Sequence, residues 1–164
     1  MTIDYSDVLP SGHNNAISLK IWNPMYMSQS NNSTTYKEEQ YKTYVAMLDT
    51  GNSMRYPLMT KRVYNELKSL NVIQNNESLS ESYVSIKSIN NVIYKPKTLI
   101  LKKPLTFLTE VGTKVTLDRF YVQNSMPSDI NIGKYKLSEL GTKWDLKRNF
   151  VYFDDDKIPL KPYE

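Results

Sequence analysis

The chain contains no cysteine, so disulfides, thiolate nucleophiles and cysteine-ligated zinc are excluded. Its single histidine, His13, lies in a polar N-terminal segment and reads as a solvated loop residue, leaving any Ser-His-Asp arrangement dependent on that one ring. Glycine occurs five times, at positions 12, 51, 112, 133 and 141, too dispersed for a phosphate-cradling loop. No apolar run approaches the roughly 18 residues of a membrane span, and Met1-Thr2-Ile3-Asp4 lacks the basic and apolar regions of a signal peptide. Lysine and arginine outnumber aspartate and glutamate only 21 to 17 and form no dense block, which lends little to nucleic-acid binding. With 164 residues, 40% of them apolar, the chain fits one soluble globular domain over 1–164 or a segment cut from a longer protein. No metal, cofactor, membrane or nucleic-acid partner is expected. If the protein is an enzyme, carboxylates must do the work.

One stretch offers such a carboxylate. Tyr44-Val45-Ala46-Met47-Leu48 is an apolar run that stops at Asp49-Thr50-Gly51. A strand that buries five successive apolar side chains and presents an acid at its exit places that acid where water, substrate and low-dielectric walls meet. The bland alternative is a turn, because Asp and Gly both suit turns.

The rest of the chain reads as mostly β. Residues 1–15 form a flexible lead-in. Ile17, Leu19 and Ile21 alternate with polar neighbours over Ala16 to Trp22, a half-buried strand. Asn23 to Thr35 has no periodicity and reads as a long surface loop. Lys42 to Leu48 is an interior strand ending at Asp49. Val63, Leu67 and Leu70 share a helical face beside Tyr64, with Thr60 as N-cap and Asn71 at the exit. Tyr83 to Tyr94 forms a hairpin whose exposed tip holds Asn90-Asn91. Leu99 to Leu108 and Lys114 to Val122 pair about a turn at Gly112, with Pro96 and Pro104 suited to edges or bends. Asp129-Ile130-Asn131-Ile132-Gly133 precedes a short helix carrying Leu137 and Leu140 and stopped by Gly141. Phe150 to Phe153 is a last strand, and 154–164 a polar tail.

This order of elements resembles a retropepsin, the single-lobed aspartic protease of retroviruses and retrotransposons. The likeness covers roughly Ala16 to Leu160 and looks closest to gypsy-type elements, where a run similar to Leu140-Gly141-Thr142-Lys143-Trp144-Asp145 and Phe150-Val151-Tyr152-Phe153 follows the second motif. It implies an all-β, mainly antiparallel acid-protease barrel with one main helix and one short C-terminal helix. Three positions depart from the family pattern. Asn52 stands where Ala or Ser usually follows the glycine. Asn131 occupies the middle of a segment normally apolar throughout. The hairpin tip, Lys87 to Asn91, lacks the family's frequent glycines.

The resemblance implies a mechanism. An aspartic protease needs two carboxylates, one to take a proton from water and one to protonate the scissile amide, and this chain has one Asp-Thr-Gly and no Asp-Ser-Gly. A twofold homodimer would bring Asp49 and its mate together. Like charges held close cannot both ionise, so the pair would share a proton and activity would be bell-shaped in pH, favouring acid to near-neutral conditions. Thr50 would hydrogen-bond across the axis, and Gly51 would let the substrate backbone approach. Val84 to Tyr94 would be the flap, with Ile89 near its tip, closing over an extended peptide. Met47 and Asn131 are candidate pocket walls, Asn131 implying a subsite that tolerates a polar residue, and Asn52 and Ser53 complete the candidate substrate-contacting set. Ordinary strand packing is the plain alternative for the two walls. Expected substrates are polyprotein segments, met in the cytoplasm or inside a virus-like particle. The rivals are a non-catalytic retropepsin-like dimerisation or peptide-binding module, an unrelated β-sandwich whose Asp49 caps a turn, and a cellular retropepsin of the DNA-damage-inducible type, which usually carries other domains.

Overall fold

The structure is a computed structural model whose described residues are 15–23, 40–74, 76–81, 84–87 and 93–161. Strand β1 (Ala16–Trp22) buries Ile17, Leu19 and Ile21 on one face, as its period-two pattern demands. It pairs antiparallel with β2 (Tyr41–Asp49), from Ala16 opposite Met47 to Trp22 opposite Tyr41. On β2 the side chains of Tyr44, Ala46 and Leu48 enter the core, whereas Val45 is 46% exposed and Met47 is half-buried. The expectation of five successive buried residues is therefore corrected. Successive side chains point to opposite faces of a strand, and only one face of β2 meets the core.

Strand β3 (Leu58–Thr60) leads directly into helix α1 (Lys61–Ser69). The Thr60 hydroxyl accepts the Val63 N–H at 3.2 Å and caps the helix. Val63, Tyr64 and Leu67 are buried, and burial of each aliphatic side chain stabilises by about 1.5–3 kcal/mol. Asn71 ends the helical path with φ of 61°, a conformation asparagine tolerates better than most residues.

The short strands β4 (Ser80–Glu81), β5 (Ile86–Lys87) and β6 (Ile93–Tyr94) follow, then the long antiparallel pair β7 (Lys97–Thr109) and β8 (Lys114–Gln123). β5 and β6 form the expected hairpin, with Ile86 opposite Tyr94. Its tip, including Ile89, Asn90 and Asn91, lies outside the described residues, as do the lead-in and most of the Asn/Ser-rich loop. The β7–β8 register slips between Ile100 and Leu105, where Pro104 falls, because proline has no N–H to give the ladder. The fold closes with β9 (Ile130–Gly133), α2 (Lys134–Glu139), β10 (Thr142–Asp145), β11 (Phe150–Phe153) and β12 (Asp156–Pro159).

Among the described residues seven strands share one sheet in the order β1-β2-β9-β3-β8-β7-β4, and β1 also pairs with β7, so the sheet curls back on itself as a barrel. Pairing is mainly antiparallel, but β2 with β9 and β3 with β8 are parallel. β10, β11 and β12 form a separate three-stranded sheet. The reading of 154–164 as a polar tail is corrected here: Ile158 opposes Val151 in that sheet, and Ile158 and Leu160 are buried in the core. Two apolar residues behind three aspartates carry too little pattern to announce a strand.

A polar cluster fixes α1 to the barrel. Arg62 forms ion pairs with Glu66, at 3.7 Å, and with Asp129. Asp129 also accepts the Val45 N–H at 2.9 Å, tying β2 to the start of β9. Glu66 accepts the Tyr44 hydroxyl at 2.8 Å and pairs with Lys42 at 3.0 Å. Burial by itself would raise the Glu66 carboxyl, but hydrogen bonds from Tyr44 and Lys42, with the Lys42 and Arg62 charges, hold it below the usual range. Burial, with Glu66 alongside, pushes the Tyr44 phenol above its ordinary value. No helix among the described residues is long and apolar enough to cross a membrane.

Candidate active site

The exits of β2 and β9 meet side by side. Their parallel register sets Met47 beside Asn131 and Asp49 beside Gly133, while β3 flanks β9 with Leu58 opposite Asn131. Alternation then places Met47, Asp49 and Asn131 on the half-buried face, away from buried Leu48 and Ile132.

At Asp49 the strand breaks into a tight turn. The Asn52 N–H donates to the Asp49 carbonyl at 3.0 Å, and the Gly51 N–H donates to Asp49 Oδ1 at 3.1 Å. The aspartate thus caps its own turn, as the plain reading requires. Its other oxygen, Oδ2, accepts from Asn131 Nδ2 at 3.1 Å. Asp49 forms no ion pair with any described residue, so both oxygens rest on neutral donors. Thr50 is half-buried beside it, and no described residue hydrogen-bonds its hydroxyl.

The two asparagines that depart from the family pattern lie against each other. Asn52 Nδ2 donates to Asn131 Oδ1 at 2.8 Å, and Asn52 Oδ1 accepts the Met54 N–H at 2.8 Å. Asn131 Nδ2 also lies 3.8 Å from Met47 Sδ. The Asn131 carboxamide, expected as a pocket wall, hydrogen-bonds both Asp49 and Asn52.

Gly133, absent from the candidate site residues, is what lets the loops approach. A Cβ there would stand 2.6 Å from the Asn52 carbonyl oxygen and 3.0 Å from its Cγ, far inside van der Waals contact. The next residue's N–H, Lys134, donates to the same carbonyl at 2.9 Å, so α2 begins hooked onto the Asp49 loop. The Ile-x-Ile-Gly pattern carried this signal, but the clearance depends on a loop eighty residues earlier in the chain.

Ser53 is exposed where the loop opens into a pocket of about 770 Å³ lined by Ser53, Met54, Tyr56, Val84, Tyr121 and Tyr135, among others. The Tyr56 and Tyr121 rings are 5.2 Å apart. Arg119 donates to the Tyr56 hydroxyl at 3.2 Å and lies 5.6 Å from its ring, an arrangement that favours cation–π attraction. Burial raises the Tyr121 phenol above its ordinary value. Val84 brings the start of the hairpin to this pocket, whereas Ile89 is outside the described residues. Among the described residues no three His, Asp or Glu side chains group to hold a metal ion.

No protein-family model matches the chain, and no curated protein does. Among solved structures it is similar to the retroviral protease-like domain of Ddi1 from Leishmania major, with a TM-score of 0.52 and 14% identity over 93% of this chain and 97% of that one. At that identity the likeness is one of fold. The protein has a retropepsin-like fold, mostly β with two helices among the described residues.

Proposed function

We propose that the chain is one half of a homodimeric aspartic endopeptidase that cleaves extended peptide segments, with Asp49 of each subunit forming the catalytic pair. The observation that carries this reading is the state of Asp49: a half-buried carboxylate at a strand exit, oriented by two neutral donors and paired with no cation among the described residues. Neutral N–H groups orient its two oxygens without supplying a side-chain countercharge. The retropepsin-like fold and the presence of one Asp-Thr-Gly in the chain support a twofold arrangement.

In this mechanism the Asp49 pair holds a water molecule and shares one proton. The ionised carboxylate takes a proton from the water as its oxygen attacks the scissile carbonyl carbon. The protonated mate gives its proton to the carbonyl oxygen, forming a neutral tetrahedral diol. Return of a proton to the amide nitrogen breaks the C–N bond and releases acid and amine. The half-buried Thr50 hydroxyl, unbonded among the described residues, suits a contact across the twofold axis. The pocket beginning at Ser53 and Met54 suits substrate side chains, under a hairpin that closes as a flap. The sequence likeness to gypsy-type elements makes a viral or retrotransposon polyprotein the proposed substrate.

The test is incubation of wild-type and Asp49→Asn protein with a mixed peptide pool from acid to mildly alkaline pH, read by mass spectrometry. Cleavage by wild type alone, with a bell-shaped pH profile and inhibition by a pepstatin-like compound, is the expected result. Equal cleavage by both proteins would remove Asp49 from the mechanism.

A further inference from the structure

The carboxamides beside Asp49 form a chain whose direction is dictated at one end. The Met54 backbone N–H can only donate, so the Asn52 atom facing it at 2.8 Å must be the oxygen. Asn52 Nδ2 then faces Asn131 at 2.8 Å, which fixes the Asn131 atom there as its oxygen. Asn131 Nδ2 is left pointing at Asp49 Oδ2, 3.1 Å away. A fixed backbone donor three hydrogen bonds away thus ensures that the aspartate meets an N–H and never a competing carbonyl. The Gly51 N–H takes the other oxygen at 3.1 Å. With both oxygens bonded, the plane of the carboxylate is set.

We propose that Asn52 and Asn131 act as a positioning relay for Asp49, orienting its carboxylate for catalysis by transmitting the polarity of the Met54 N–H to Oδ2. Asn131 is the proximal positioning residue and Asn52 the one that keeps it from flipping. The relay accounts for both departures from the family pattern at once. An asparagine at 131 with an apolar residue at 52 would lose the donor that fixes its oxygen, and an asparagine at 52 facing an apolar residue at 131 would leave a half-buried amide without an acceptor. Since the Asn131 oxygen and one of its N–H groups are engaged inside the protein, its side chain serves the acid rather than substrate selection. The inference rests on the protease reading for its catalytic consequence, but not for the hydrogen bonds themselves.

The test compares wild type with N52A, N131L and the double variant N52A/N131L, using peptide-cleavage kinetics and side-chain amide NMR. N131L should lower kcat on the order of 10- to 100-fold, as loss of orientation at a reacting group does, with KM changed less than twofold. N52A, which restores a residue usual in the family, should lower kcat about 3- to 10-fold. The double variant should be no worse than N131L, because members of one unit are not additive. The Asn131 Nδ2 proton resonances should move in both D49A and N52A. A change in KM or sequence preference with kcat intact would overturn the relay in favour of a pocket wall. Multiplicative losses in the double variant, or Asn131 amide signals indifferent to D49A, would overturn it too. Should wild type cleave nothing at all, the protease reading and the relay's catalytic role would fall together, while the amide signals would still decide whether the hydrogen-bond chain exists.

Discussion

Asp49 and Asp129 flank the same two strands, one at the exit of β2 and the other just ahead of β9, yet they meet opposite kinds of partner. Asp129 is neutralised by Arg62 and accepts a β2 backbone N–H, so it joins helix to sheet. Among the described residues, Asp49 receives two neutral N–H donors and no cation. The first environment is a charge-assisted join between helix and sheet. The second orients a carboxylate without a side-chain countercharge, which is why the chemistry is proposed at one end of this strand pair and the mechanical join at the other. Asp145 repeats the structural pattern: it is buried, and its own neighbour Arg148 supplies both a backbone N–H at 3.2 Å and a guanidinium contact at 3.4 Å.

Exchange of single residues sharpens this contrast. Asp49→Asn should abolish cleavage, at least about 10³-fold given what an acid–base group contributes, with the melting temperature little changed; a peptide assay beside a thermal scan checks both. Gly133→Ala should affect both ends of the argument, since its Cβ must displace the Asn52 carbonyl. A loss of about 1–3 kcal/mol in chemical denaturation, together with reduced kcat, is expected, and wild-type behaviour would show that the loop is free to move. Asp129→Asn should do the reverse of Asp49→Asn, costing about 1–2 kcal/mol for a partly exposed charged join while the purified, folded protein keeps its kcat.

The smallest effect belongs to Tyr44→Phe, about 1 kcal/mol for the lost hydrogen bond to Glu66. Its diagnostic is pH. The Tyr44 phenol is raised by burial on folding, so its contribution is intact below the ordinary tyrosine value, about 10, and is lost as pH rises above it. Wild type should therefore soften in strong alkali more than Tyr44→Phe does. Glu66 has the opposite sign: its lowered value means stability that is present above the ordinary glutamate range and lost as pH falls through the depressed one. Urea midpoints measured across pH resolve the two limbs.

Much of the architecture was legible because local pattern and tertiary role agree. Alternation at Ile17, Leu19 and Ile21 marks β1, the spacing of Val63 and Leu67 behind Thr60 marks α1, and Asp-Thr-Gly after an apolar run marks the turn at Asp49. Elements that hold together only through distant partners were not legible. β3 has three residues and exists because β8 and β9 grip it from either side. β12 hides behind three aspartates, and its apolar content becomes meaningful only against β11. Val45 looked like part of a buried run, but the run has two faces and the core takes one.

The sequence by itself determined the candidate acid, the absence of thiol chemistry and the longer strands and helices, because those depend on residue identity and short-range periodicity. Only the tertiary structure decided what surrounds that acid. The Asn131 amide reaches Asp49, Asn52 orients Asn131, and Gly133 admits the Asn52 carbonyl because parallel β2–β9 pairing brings together residues some eighty positions apart. Direction along a hydrogen-bond chain and clearance of a few tenths of an ångström are properties of packed atoms, and no local pattern in the chain encodes them.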